Sequence, residues 1–320
     1  MIELKNVTKV FGIKKAVDQV SLTINEGENM VFLGTSGCGK TTTLKLINRL
    51  IDPSAGAVFV KGEDIASIKP ETLRRDMGYV LQNIGLFPHF TVAENIAVVP
   101  KMLGWSATEI QQRAALLLEK LHLPLGFLKL FPRELSGGQQ QRIGLARALA
   151  ANPPILLMDE PFGALDNVTR SKIHDDFLGL DELKTKTIIM VTHDVQEAFT
   201  LADRICLMHD GKIVQVGTPK ELLFKPSDSF TKSFLDGQRL ALQFSTINLT
   251  DLILYLPKEE GVAIEKVSQT MSVWQAMEKL REATRGSLVM SGNSEAERWV
   301  FNFDQLMQAF SRYQNANAYD

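Results

Sequence analysis

The chain is poor in cysteine, with two in 320 residues. Cys38 and Cys206 lie far apart and match no metal or redox spacing, so a reduced, cytosolic setting is expected. An excess of one charge is also missing. The formal net charge is −2 at pH 7, which provides no overall basic field for nucleic acid. Long apolar runs are absent as well. The longest stretch without a charged residue, 77–93, contains Gln82, Asn83, Pro88 and His89, which no lipid-facing helix carries together. Work at a membrane would therefore need another chain to supply the span. No secretory leader is expected, because Met1-Ile2-Glu3-Leu4 opens directly on an alternating strand pattern. Internal repeats and low-complexity tracts are absent too.

What is present suits a globular protein. The apolar fraction is 45%, enough for sizeable cores, and the length suggests two domains. Ile2 and Leu4, then Val20, Leu22 and Ile24, alternate with polar residues and predict half-buried antiparallel strands. Met30-Val31-Phe32-Leu33, Ile155-Leu156-Leu157-Met158 and Thr187-Ile188-Ile189-Met190-Val191 are continuous apolar runs, as in fully buried strands. Further strands are predicted over 57–60, 78–81, 204–209 and 212–216, the last two joined by an Asp210-Gly211 turn. Helices are predicted over 91–103, over 108–121 with a capping box at Thr108, and near 166–183. Strand–helix alternation argues for an α/β fold with a parallel sheet. Composition shifts near Gln238, and residues 240–255 read as irregular.

Two segments form anion sites. Gly34-Thr35-Ser36-Gly37-Cys38-Gly39-Lys40-Thr41 follows a buried strand and opens a helix, the context a phosphate loop demands. Its glycines let backbone N–H groups wrap phosphates, Lys40 adds a point charge, and the Thr41 hydroxyl suits Mg²⁺. About a hundred residues later, Leu135-Ser136-Gly137-Gly138-Gln139 starts another helix. Ser136 sits at the N-cap, and Gly137 and Gly138 expose backbone N–H groups at a positive helix end. One nucleotide needs only one such cradle.

Several polar residues fall at carboxyl ends of predicted strands, where ligands of parallel sheets bind. Asp159 and Glu160 follow four apolar residues, a costly placement unless a cation or solvent receives them. Asp159 is placed to support Mg²⁺, and Glu160 to take a proton from attacking water. Gln82 is placed to reach Mg²⁺ or that water, and His193 to reach the terminal phosphate. Phe11 offers an aromatic face for adenine, although a core aromatic fits the sequence as well. His89, His122, His174 and His209 show no partner that suggests chemistry.

Taken together, residues 1–238 resemble the ATP-binding subunit of an ATP-binding cassette (ABC) transporter. Six motifs occur in that family's order. They are the Walker A loop from Gly34 to Thr42, Gln82, the signature from Leu135 to Gln139, the Walker B strand ending in Asp159 and Glu160, the loop Gly163-Ala164-Leu165-Asp166, and His193. The resemblance implies a P-loop NTPase core with an antiparallel β subdomain and a helical subdomain over about 83–150. It implies ATP and Mg²⁺ as cofactors, and Phe11 where relatives more often carry Tyr. Gly163 stands where relatives often have Ser, so it lends no hydroxyl.

The resemblance also explains the second cradle. Two copies bind head to tail, and Ser136, Gly137, Gly138, Gln139 and Asp166 of one chain serve the nucleotide on the other chain's P-loop. The segment from Gln82 to Ile96 is similar to importer subunits for osmoprotectant quaternary amines such as glycine betaine, choline or carnitine. Implied partners are integral membrane permease subunits, received near Leu86, Phe87 and Phe90, and indirectly a substrate-binding protein, at the cytoplasmic face of the inner membrane. An importer of another small solute is the near alternative. A soluble cassette ATPase of DNA repair or translation is a distant one, because there is one cassette, no heptad run and no basic excess to engage nucleic acid. Residues 239–320 resemble one degenerate CBS module, with a helix from Ser272, a strand at 287–290, a turn at Gly292-Asn293 and a helix near 303–313.

Overall fold

A computed structural model describes residues 1–82, 85–163, 174, 177, 179–258, 265–283, 286–291 and 298–317. The chain forms two compact units, Met1–Val216 and Gly217–Asp320. The sequence places the boundary at 238, where composition changes. Packing places it earlier, because the helix Pro219–Phe224 packs on the helix Arg239–Thr246.

In the first unit, β1 (Ile2–Phe11) and β2 (Lys14–Ile24) pair antiparallel, with Ile2 opposite Ile24 and Leu4 opposite Leu22. The period-two pattern thus puts both apolar sets on one buried face. β4 (Ala55–Val60) and β5 (Glu63–Asp64) complete a four-stranded sheet in the order β2-β1-β4-β5.

The second sheet contains β3 (Asn29–Gly34), β6 (Met77–Val80), β7 (Ile155–Asp159), β8 (Thr187–Val191), β9 (Arg204–His209) and β10 (Lys212–Gly217). Its order is β10-β9-β3-β8-β7-β6, and the β9-β3-β8-β7-β6 pairings are parallel. The three apolar runs supply its centre, and β7 and β8 are buried at every position.

The described residues between 85 and 150 contain no strand. The helix Val92–Met102 is capped reciprocally by Thr91 and Glu94. The helix Ala107–Lys120 is capped by Ser106 and Glu109, so Thr108 lies in its first turn and is not the cap. The charged Glu109 acceptor makes a stronger cap bond than the Gln111 amide of the expected box. The helix Gly137–Leu149 follows, capped at Ser136.

The second unit departs further from expectation. Residues 240–255 form the helix Arg239–Thr246 and a 3-10 turn, Leu249–Leu252. Gln238 gives that helix no side-chain cap, so its start carries no sequence signal, and burial of Leu242, Gln243 and Phe244 holds it. Beyond it, β11 (Glu265–Val267), the helix Val273–Glu282, β12 (Ser287–Ser291), β13 (Arg298–Asn302) and the helix Phe303–Asn317 follow in order. β12 pairs parallel with β11 and antiparallel with β13. β11 and β13 were not expected from the sequence. The expected turn at Gly292-Asn293 lies outside the described residues.

Candidate nucleotide site

The site grows from one edge of the parallel sheet. Phe32 of β3 stands opposite Val191 of β8, and Val191 opposite Asp159 of β7. Val80 of β6 pairs with Met158 beside them. The chain beyond each row therefore leaves the sheet on the same side, carrying the P-loop, His193, Glu160 and Gln82 together.

Two glycines make the loop possible. At Gly34 (φ 144°) a Cβ would lie 2.0 Å from the Met208 carbonyl oxygen, and at Gly39 (φ 106°) 2.3 Å from that of Ala16. No larger residue fits either place. Gly37 also has positive φ, but the space around its missing Cβ is open. Thr35, Ser36 and Gly37 form an exposed rim. Gly39 is the N-cap of the helix Lys40–Ile47 and gives no side-chain cap. The first-turn N–H groups of Lys40, Thr41 and Thr42 therefore have no intrahelical acceptor and face an anion site.

Lys40 is only 6% exposed. Its Nζ donates to the carbonyls of Gly34 at 2.8 Å and Thr35 at 3.0 Å, so the charge is held within the loop. Cys38 and Cys206 are both buried, and burial pushes the Cys206 thiol far up, which leaves it an inert core group.

The Thr41 hydroxyl donates to Asp159 at 2.8 Å. Asp159 is 5% exposed, and burial pushes its carboxyl above the usual range despite that bond. A hard-oxygen pair with a desolvated carboxylate suits a hard cation such as Mg²⁺.

Glu160 adopts the left-handed region at φ 43°, unusual for a branchless acidic residue and fixed by its N–H bond to the Val191 carbonyl at 2.9 Å. This turn aims its side chain at two neighbours. Gln82 Nε2 donates to Glu160 Oε2 at 2.8 Å, and His193 Nδ1 lies 3.2 Å from the same oxygen.

Ser136 Oγ accepts from the Gln139 N–H at 3.4 Å, and Gln139 Oε1 accepts from the Ser136 N–H at 2.9 Å. Leu135 is buried while Ser136 and Gly137 are exposed, and the space at Gly137 is open. Among the described residues, the hydrogen bonds of Ser136 stay within its own cap. Phe11 is 51% exposed, with Lys9 Nζ 5.1 Å from its ring centre. Its hairpin is rooted on the P-loop through the Ala16–Gly39 approach. Asp166 lies outside the described residues, and Gly163 donates to the Glu160 carbonyl at 3.2 Å.

The structure adds one residue that the sequence passed over. His209 Nδ1 lies 3.5 Å from the Thr35 hydroxyl on the loop rim. The signal was topological: β9 pairs with β3, so its end adjoins the P-loop.

Comparison with known proteins identifies relatives of this chain. The family model described as ABC transporter matches residues 17–163. The choline transport ATP-binding protein OpuBA of Bacillus subtilis is 53% identical over 75% of this chain and 63% of its own length. The chain thus spans under two thirds of that relative. The glycine betaine/carnitine/choline transport ATP-binding protein OpuCA of Bacillus subtilis is 46% identical over 91% of this chain and 75% of its own. The glycine betaine uptake system ATP-binding protein YehX of Escherichia coli is 44% identical over 87% and 89%. A solved dimer of the ATP-binding cassette MJ0796 with ADP and Pi covers 68% of this chain and 98% of its own, at 37% identity and a TM-score of 0.62. With its P-loop, strand-end carboxylates and capped signature helix on one such scaffold, the chain belongs to the ATP-binding cassette family of transporter ATP-binding proteins.

Proposed function

We propose that this chain binds and hydrolyses ATP to power a membrane importer of quaternary-amine osmoprotectants. The observation that carries the reading is the convergence of Lys40, Thr41, Asp159, Glu160, Gln82 and His193 at one sheet edge. In this reading the loop N–H groups and Lys40 seat the phosphates. Thr41, Asp159 and Gln82 would hold Mg²⁺, which would supply neutralisation of the phosphate charge. Glu160 takes the proton of attacking water, and His193 steadies the terminal phosphate and the Glu160 carboxylate. Phe11 stacks on adenine.

Hydrolysis needs a second copy. The exposed Ser136 and Gly137 of one chain, with Gly138, Gln139 and Asp166, close over the P-loop of the other in an isologous dimer. ATP favours the closed pair, and its loss lets the pair part. No helix among the described residues is long and apolar enough to cross a membrane, which fits a peripheral subunit on separate permease chains. Phe87 and Phe90, exposed side by side, suit that permease contact. We read residues 239–320 as a degenerate CBS-like regulatory module, supported by the β-α-β-β-α order from β11 onward.

Purification of the assembled complex from membranes, with bound solute identified by mass spectrometry and uptake measured in proteoliposomes, tests the reading. ATP-dependent uptake of choline, glycine betaine or carnitine is the expected result. A soluble nucleic-acid partner, or no permease, would overturn it.

A further inference from the structure

The segment 85–90 is gripped from two sides. Asn95 is fully buried in the helix Val92–Met102. It accepts from the Phe87 N–H at 2.8 Å and donates to the carbonyls of Phe87, Phe90 and Thr91 at 3.2, 3.1 and 3.0 Å. This fixes the local turn and leaves the Phe87 and Phe90 rings 5.3 Å apart, 45% and 42% exposed.

Arg147 grips the other side. Its Nη1 donates to the Gly85 carbonyl at 2.6 Å, and its guanidinium lies 5.8 Å from the Phe87 ring centre. Arg147 is partly buried, and that burial lowers its pKa, so its stem and guanidinium are less hydrated than a fully exposed arginine's. Arg147 lies in the last turn of Gly137–Leu149, the helix capped by Ser136. At 1.5 Å per residue the two ends are about 16 Å apart on one stiff rod. On the near side of the segment, Gln82 already touches Glu160.

We infer that Arg147 is a positioning residue: it locks the exposed Phe87–Phe90 surface to the signature helix, so that a load on the aromatic pair changes the placement of Ser136. The inference rests on the proposed nucleotide function. A side chain that served only the helix end would complement the last carbonyls of its own helix. Arg147 bonds a loop carbonyl 62 residues away in sequence, a contact beyond that role.

The test uses the full chain carrying Arg147→Ala, Arg147→Lys, Phe87→Ala and the Phe87/Arg147 double change. Steady-state ATP hydrolysis and backbone hydrogen exchange over residues 139–143 are the two readouts. Arg147→Ala should lower kcat about tenfold while the KM for ATP stays within about twofold, because the P-loop contacts are untouched. Arg147→Lys should recover much of that loss. Phe87→Ala should speed exchange at 139–143 about threefold when Arg147 is present and leave it unchanged when Arg147 is Ala. Parental kcat in Arg147→Ala, or the same Phe87→Ala effect with and without Arg147, would overturn the inference. If Arg147→Ala does not fold, Arg147→Met, which keeps the aliphatic stem without the donor or the charge, carries the same comparison, and an undiminished Phe87→Ala effect there would overturn the inference. A parental chain without ATPase activity would refute the proposed function instead, and the exchange comparison would still decide on Arg147.

Discussion

Gln82 donates to the carboxylate of Glu160 at 2.8 Å, across 78 residues of sequence and two adjacent strands. The same oxygen faces His193 at 3.2 Å. The carboxylate read as the base of the proposed reaction is thus held between the two side chains that flank it. The left-handed turn at Glu160 keeps the carboxylate within reach of both.

Glu160→Gln keeps the size and the contact to Gln82 but removes the proton acceptor. ATP hydrolysis should fall by roughly 10²–10⁴-fold while ATP binding persists. Light scattering with ATP should show a long-lived dimer. Normal turnover would remove Glu160 from the role of base.

His193→Ala should lower kcat by about 10²–10³-fold, with a smaller effect on the KM for ATP. The side chain is 60% exposed, so folding should be little affected. Thermal unfolding checks the second point: a Tm well below that of the parental chain would contradict it.

Burial makes Asp159 a stability cost, which the proposed function explains. Burial raises its pKa in the folded chain above the ordinary 3.8. As pH rises past that value the unfolded chain loses the proton first, so the native state is progressively disfavoured up to its own higher pKa. Asp159→Asn should therefore stabilise the nucleotide-free chain at pH 7 by about 0.5–2 kcal/mol, and the gain should vanish in acid. Denaturant titrations at both pH values measure it, and ATPase activity should be lost. Equal stability at pH 7 would contradict the account.

A buried ion pair has the opposite sign. Burial alone would raise the Glu182 carboxyl, but Arg113 and Lys120 outweigh it and hold it below 4.5. Its stabilisation is full above that value and is lost as pH falls through the folded pKa. Arg113 also donates to the carbonyls of Leu149 at 2.7 Å and Ala150 at 3.1 Å, finishing the signature helix. Arg113→Ala should cost about 3 kcal/mol at pH 7, the low end for a buried pair because Lys120 remains. The difference should shrink as pH falls through the folded pKa.

Much of the fold was legible because burial and period agree. The continuous runs of β3, β7 and β8 and the alternation of β1 and β2 read directly as strands. Asp159, Glu160 and Gln82 were legible as polar residues ending apolar strands. What the sequence hid depends on long-range pairing. His209 meets Thr35 only because β9 lies beside β3, and Arg147 meets Gly85 only because a helix returns over the loop. The helix Arg239–Thr246 was hidden for a local reason, because no capping side chain marks its start.

The central claim is that each hydrolytic site is shared between two chains. Ser136→Arg and Lys40→Ala chains, each inactive alone, should be mixed at equal concentration and assayed for ATP hydrolysis. A mixed pair holds one site with Lys40 and Ser136 both intact and one with both lost. Random pairing predicts about a quarter of parental activity, half the pairs being mixed with one working site each. Activity no greater than that of the two variants assayed separately would contradict the shared site.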